Sequence, residues 1–250
     1  VKKPLLWTLV IVFAILLLDQ ALKIYIKTHM ELYDEKDISE RLHLGSDWFY
    51  IHFTENPGMA FGLELGGTTG KIVLSVFRLL AVTAIGWYGW VTIKRGTSKL
   101  MLVCIALIFA GALGNILDSC FYGLLFDRGL TYDPVLDGYQ RYYGVAEMNG
   151  EGYAPFLHGC VVDMFHFPII RGHFPDWFPR WGGQEFEFFR PVFNVADASI
   201  SIGVILLIIF QKRLFGKKKK EEEKSTEESA EKPPETPGGE TIDPAPETVA

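Results

Sequence analysis

Four apolar runs divide the chain, at about residues 4–26, 72–93, 100–125 and 192–215. Each is longer than a soluble helix needs and is apolar all round rather than along one stripe, the pattern of a helix surrounded by lipid. Each also has the roughly 20 residues that cross a hydrocarbon core of about 30 Å at 1.5 Å per residue. The first run follows Lys2 and Lys3, as a signal-peptide core would. No small-x-small cleavage site follows it, however. Asp19, Gln20 and Lys23 come next in a pattern that stays helical to Ile26, so an uncleaved span is expected. The prediction is an all-α membrane protein: a four-transmembrane-helix bundle with extracytoplasmic loop/β elements and a disordered C-terminal tail.

Charge then orients the spans. Lys2 and Lys3, the 94–99 segment with Lys94, Arg95 and Lys99, and Lys212, Arg213 and Lys217–Lys220 all belong on one side. The positive-inside rule makes that side the cytoplasm and puts both termini there. The segments 27–71 and 126–191 then face outward, and their Trp, Tyr and Phe content suits a membrane surface. The formal net charge of −6 says little about partners, because residues 217–250 alone carry six Lys against nine Glu and one Asp. The remaining body is nearly neutral and has no basic stripe, which argues against a nucleic-acid partner. Two domains are expected. Residues 1–216 form the membrane domain, with an outward insertion at about 126–191, and residues 217–250 form a tail too polar to offset its ordering entropy.

An ionisable group in a span is costly, so it faces the protein interior or a wet cavity. Asp19 and Lys23 are one turn apart on the first span. Gly111, Asn115 and Asp118 share a face of the third, and Asn194 and Asp197 lie three apart on the fourth. The topology brings these groups to a similar depth near the outer ends of the spans, where Gly111, Gly114, Ala196 and Ala198 let helices approach closely. Asp163 ends the outward segment before the fourth span. A structural reading competes here, in which these groups only bind the bundle together by interhelical hydrogen bonds. It is strongest for Asp19 with Lys23 and weakest for Asp197, which has no basic neighbour in its own span. Two carboxylates that converge would share one proton, giving a base and an acid at neutral pH.

Asn56, Gly58 and Phe61, then Gly111 to Asp118, then Val161 to Asp163, then Phe193 to Asp197, occur in this order after Asp19 and Lys23. In that order the set resembles the lipoprotein signal peptidases, or signal peptidase II, over roughly residues 4–215. The resemblance implies a bacterial inner-membrane aspartyl endopeptidase that removes signal peptides from diacylglyceryl-modified prolipoproteins, cutting before the lipidated cysteine. It assigns the catalytic pair to Asp163 and Asp197. It gives supporting or substrate-binding roles to Asp19, Lys23, Asn56, Gly58, Gly111, Asn115, Asp118, Asn194 and Ala196. It implies no metal and no organic cofactor. The expected partners are the prolipoprotein signal peptide and membrane lipid, with the enzyme monomeric and its active site near the outer face.

Three features depart from the resemblance. Ser119 stands where the family commonly has Arg, with Arg78 or Arg128 as candidates to supply that charge. The stretches 131–159 and 173–189 are additions, expected to alter access rather than chemistry. Asp163, lying between them, is expected on a movable segment that closes over substrate. Cys104 reads as a small buried hydrophobe, and a disulfide between Cys120 and Cys160 remains one alternative. His158, Cys160, Asp163 and His166 match no metal signature. From another functional class, a proton- or ion-coupled transporter could use Asp19, Lys23, Asp118 and Asp197 as a path.

Overall fold

The computed structural model describes residues 2–33, 42–43, 48–58, 67–188 and 191–214. The expected tail at 217–250, and Phe61 of the Asn56 motif, lie outside the described residues. Four helices carry the fold: α1 (Lys2–His29), α2 (Gly67–Lys94), α3 (Lys99–Leu125) and α4 (Val195–Ile209). The first three are long and apolar enough to cross a membrane, whereas α4 is a shorter apolar helix of 15 residues. Their outward faces carry Trp7, Phe13, Phe77, Trp87, Ile205 and Ile208, all exposed. Side chains of this kind all along a helix are tolerable only against lipid. Phe210 to Leu214 continues as a separate short turn.

Helix α3 is the hub. Ser98 caps its start, accepting from the Met101 N–H. Small residues let α4 lie against it. A Cβ on Gly111 would sit 2.2 Å from the Ala196 carbonyl oxygen and 2.7 Å from Ile200 Cγ1. A Cβ on Gly114 would sit 2.7 Å from Asp19 Oδ2, so this turn of α3 also admits α1. Gly111→Ala should therefore lose about 1–3 kcal/mol by overpacking and pull α4 away from α3. Gly138→Ala, whose Cβ would meet nothing closer than 3.7 Å, is the matched control. Thermal unfolding with cleavage assays on both variants checks this.

The β elements expected beside the helices include a four-stranded antiparallel sheet at one end of the bundle. Its order is β1 (Leu42–His43), β2 (Tyr50–Asn56), β5 (Val161–His166) and β8 (Val192–Phe193). Two hairpins, β3–β4 (Thr131–Asp133 with Gly138–Gln140) and β6–β7 (Ile170–His173 with Glu185–Phe188), account for the inserted stretches. Strand β5 has no polar/apolar alternation because both its faces are covered, with Val161, Val162, Asp163, Met164 and His166 all buried. Successive side chains still point to opposite faces. Val162 and Met164 join the core made by Ile26, Phe53, Tyr122 and Phe126, which leaves Asp163 on the other face. Asp163 pairs across to Thr54, while Phe165 pairs with Phe193 of β8. Asp163 thus rides on a paired strand rather than on a loop.

The 131–159 addition folds back on the end of α3. The N–H groups of Gly150, Tyr153, Ala154 and Gly159 donate to the carbonyls of Leu125, Phe126, Gly123 and Ser119. A helix end left open in an apolar surround would strand these acceptors, so the addition serves as a C-terminal cap.

Candidate active site

The start of α4 organises the site. Asn194 caps the helix, its Oδ1 accepting from the Asp197 N–H at 2.9 Å. In return Asp197 Oδ2 accepts the Asn194 N–H at 3.4 Å, a reciprocal capping box. A third donor of this turn, the Ala196 N–H, is taken at 2.8 Å by Asp19 Oδ1 from α1. Helix α4 therefore aims its positive end at two carboxylates, which stabilises their negative charge.

Asn194 also joins the two acids. Its Nδ2 donates to Asp163 Oδ1 at 2.6 Å while its Oδ1 and backbone N–H hold Asp197. From α3, Asn115 Nδ2 donates to Asp197 Oδ1 at 2.7 Å. Asn115 Oδ1 in turn accepts from Lys23 Nζ at 2.9 Å. Lys23 is wholly buried between Asp118 at 2.7 Å and Asp19 at 3.0 Å. Asp118 Oδ2 accepts the Val162 N–H at 3.4 Å, tying α3 to the strand that carries Asp163. A continuous network thus runs from the Asp19–Lys23–Asp118 cluster through Asn115 to Asp197, and through Asn194 to Asp163.

Asp163 is 4 % exposed. Burial, and after it the charge of Asp197, pushes its carboxyl up to about 8, against the opposing pull of Lys23 and the Asn194 hydrogen bond. At neutral pH Asp163 is a protonated acid, the state that one member of a two-carboxylate hydrolytic site needs.

Asn56 ends β2, and Gly58 follows two residues later. Asn56 Oδ1 accepts the Gly58 N–H at 2.8 Å in an Asx turn, and Gly58 takes φ +111°, open to glycine. A Cβ there would also meet Leu74 of α2 at 2.8 Å.

Several working groups escaped the sequence reading. Gln20 Nε2 donates to Asp118 Oδ1 at 2.8 Å and Asp19 Oδ2 at 3.1 Å, and its Oε1 accepts from Tyr122. Lys27, one turn beyond Lys23, is buried and paired with Glu55 of β2. It lies within 5.1–5.6 Å of the ring centres of Phe53, Phe126, Tyr142 and Tyr153. Lysines at 23 and 27 on one face of an apolar helix were the signal for this second buried ion pair.

The cysteine alternative is corrected: Cys104, Cys120 and Cys160 are free and buried. Cys160 Sγ meets Lys71 Nζ at 3.1 Å, and burial, then Glu55, pushes its thiol up to about 11, leaving it unreactive at neutral pH. Of the two arginine candidates, Arg128 is engaged by Asp127 Oδ2 at 3.1 Å and the Tyr143 carbonyl at 2.8 Å. Ser119 Oγ donates to the Asn115 carbonyl at 3.1 Å.

Helices of membrane-spanning length around a buried Asp163 and a half-buried Asp197, joined through Asn194, fit one class, a membrane peptidase of the aspartic type. The signal peptidase (SPase) II family matches residues 11–213, and this chain belongs to that family. A lipoprotein signal peptidase of Porphyromonas gingivalis is 44 % identical over 206 residues, 81 % of each chain. One from Amoebophilus asiaticus is 32 % identical over 78 % of this chain and 73 % of its own. One from Chlorobaculum parvum is 30 % identical over 72 % and 82 %. Membership of a peptidase family sets the transporter alternative aside.

Proposed function

We propose that Asp163 and Asp197 form the catalytic pair of a signal peptidase II that cleaves prolipoproteins before the diacylglyceryl-modified cysteine. The observation that carries this is the bridging of both carboxyls by Asn194, with one acid raised to about 8 beside the other. Asp197 takes a proton from a water molecule, and the water oxygen attacks the scissile carbonyl carbon. Asp163 gives its hydrogen bond to the carbonyl oxygen as negative charge builds there. When the C–N bond breaks, the proton taken by Asp197 passes to the departing α-amine of the lipidated cysteine. Hydrogen bonds from Asn115 and Asn194, together with the N-terminus of α4, keep Asp197 as the base.

We place α1 to α4 across the inner membrane as four spans, with both termini cytoplasmic and the sheet on the outer face. The basic residues at the opposite ends of the helices, Lys94 and Arg95 among them, support this. The signal peptide, itself an apolar helix, enters sideways from lipid, and the cysteine's acyl chains stay in the bilayer. Asn56 and Gly58 are placed to meet the peptide backbone, Gly58 because it carries no Cβ.

The acid role of Asp163 has a pH signature. Its carboxyl keeps the proton below about 8 and loses it above. Cleavage should therefore hold through neutral pH and fall about tenfold per unit beyond that point. A pH series of kcat/KM on a lipopeptide in detergent or proteoliposomes tests this. A rate that climbs steadily from pH 7 to pH 10 would remove Asp163 from the acid role.

A further inference from the structure

Among the described residues, the catalytic pair has no cation bonded to it. Lys23 is the buried positive charge of the network, but it lies in ion-pair contact with Asp19 and Asp118. Asp163 and Asp197 receive only amide donors from Asn115 and Asn194. Helix α2 answers this deficit. Lys71, Ser75, Arg78 and Val82 recur at helical spacing on its inward face, with Lys71, Ser75 and Val82 buried.

That face is anchored on both sides of Arg78. Toward the sheet, Lys71 reaches Cys160 Sγ at 3.1 Å and Ser75 Oγ donates to the Leu157 carbonyl at 3.0 Å, just before β5 begins. Toward the bundle, Val82 packs against Ile116 and Cys120 of α3, the turns that carry Asn115 and Asp118. Arg78 is thus directed between the strand of Asp163 and the α3 face beneath Asp197.

Yet Arg78 makes no hydrogen bond or ion pair with the described residues. The carboxyls of Asp163, Asp197 and Asp118 are meanwhile engaged by other donors. The guanidinium is only partly covered, so its donors are open to a ligand. A peptide strand lying between α2 and the acids would offer carbonyls to those donors.

We propose that Arg78 is a substrate-binding residue of this peptidase, donating hydrogen bonds to main-chain carbonyls of the signal peptide beside the scissile bond. The proposal rests on the catalytic pair assigned above. Bound peptide then completes the arginine's hydrogen bonding, and the arginine holds the carbonyl against the acid of Asp163. A nearby positive charge also favours the ionised form of Asp163, so removing it makes that acid harder to ionise. The other charged groups facing this space are Lys23 of α1 and Asp118 of α3, which remain paired with each other.

The test compares R78Q and R78K in full-length enzyme with a lipidated peptide substrate, reading kcat, KM and the pH profile. R78Q should lose about 10²–10³-fold in kcat/KM, the usual loss for one donor at a developing oxyanion. Its alkaline limb should move upward by about one pH unit. R78K should keep the limb in place and recover part of the rate, because it restores charge but not the planar fork. The proposal is overturned if R78Q cleaves within about threefold of wild type. It is equally overturned if the rate falls with the limb unmoved, which marks a packing role, or if R78K matches wild type in rate. Should R78Q not fold, R78K still decides by its lowered rate at an unmoved limb. Loss of cleavage in Asp163→Asn and Asp197→Asn alongside an active R78Q would sink this inference alone. Active aspartate variants would sink the catalytic pair instead.

Discussion

Asp197→Asn should lower lipopeptide cleavage by about 10⁴-fold, the upper range for removing a positioned acid or base, while leaving the protein folded and inserted. The substitution keeps an oxygen that can accept from Asn115 Nδ2, now at 2.7 Å, so the link between α3 and α4 survives. It also keeps the side chain that caps back to the Asn194 N–H. What disappears is the negative charge that takes the water proton. Thermal unfolding close to wild type, with cleavage at background, is the expected pair of results. A fold that melts far earlier would mean that Asp197 chiefly holds the bundle together.

Lys23→Met should be the most destabilising single change, at about 3–5 kcal/mol, the cost of stripping one partner from a buried ion pair. Lys23 is 0 % exposed and touches Asp19, Asp118 and Asn115. Methionine fills the space but leaves two buried carboxylates facing each other. Asp19 would then compete less well for the Ala196 N–H, and Asp118 for Val162, so both α4 and β5 would lose their registration. The triple change Lys23→Met, Asp19→Asn, Asp118→Asn should melt higher than Lys23→Met alone, because it leaves no unpaired charge. Unfolding in detergent decides between them; a Lys23→Met protein as stable as wild type would remove the cluster from the account.

Much of the site was legible because lipid makes polar residues conspicuous. Asp19, Lys23, Asn115, Asp118, Asn194 and Asp197 stand out in apolar helices, and i,i+3 or i,i+4 spacing puts them on shared faces. Gln20 was passed over because it sits beside Asp19 and reads as the polar flank of that residue, although it bridges Asp19 and Asp118. β elements were expected, but their pairing was hidden for a different reason. Strand β5 is buried on both faces, so Val161 to His166 lacks alternation, and its partner β2 is distant in sequence. Long-range pairing of that kind leaves no local trace, which is why Asp163 was expected on a loop. Helix ends moved for local reasons. Gly67, Thr68, Thr69 and Gly70 carry no apolar signal yet open α2, and Val192 and Phe193 extend the apolar run of α4 while belonging to β8.

The central claim is that Asp163 and Asp197 act as one unit sharing one proton, and a double-mutant cycle tests it directly. Values of kcat/KM are measured for wild type, Asp163→Asn, Asp197→Asn and the double variant, each checked for insertion and folding. Residues that work as a unit are strongly non-additive. Each single variant should therefore lose nearly as much as the double. Losses that simply multiply, or a single variant that still cleaves at a substantial rate, would contradict the shared-proton pair.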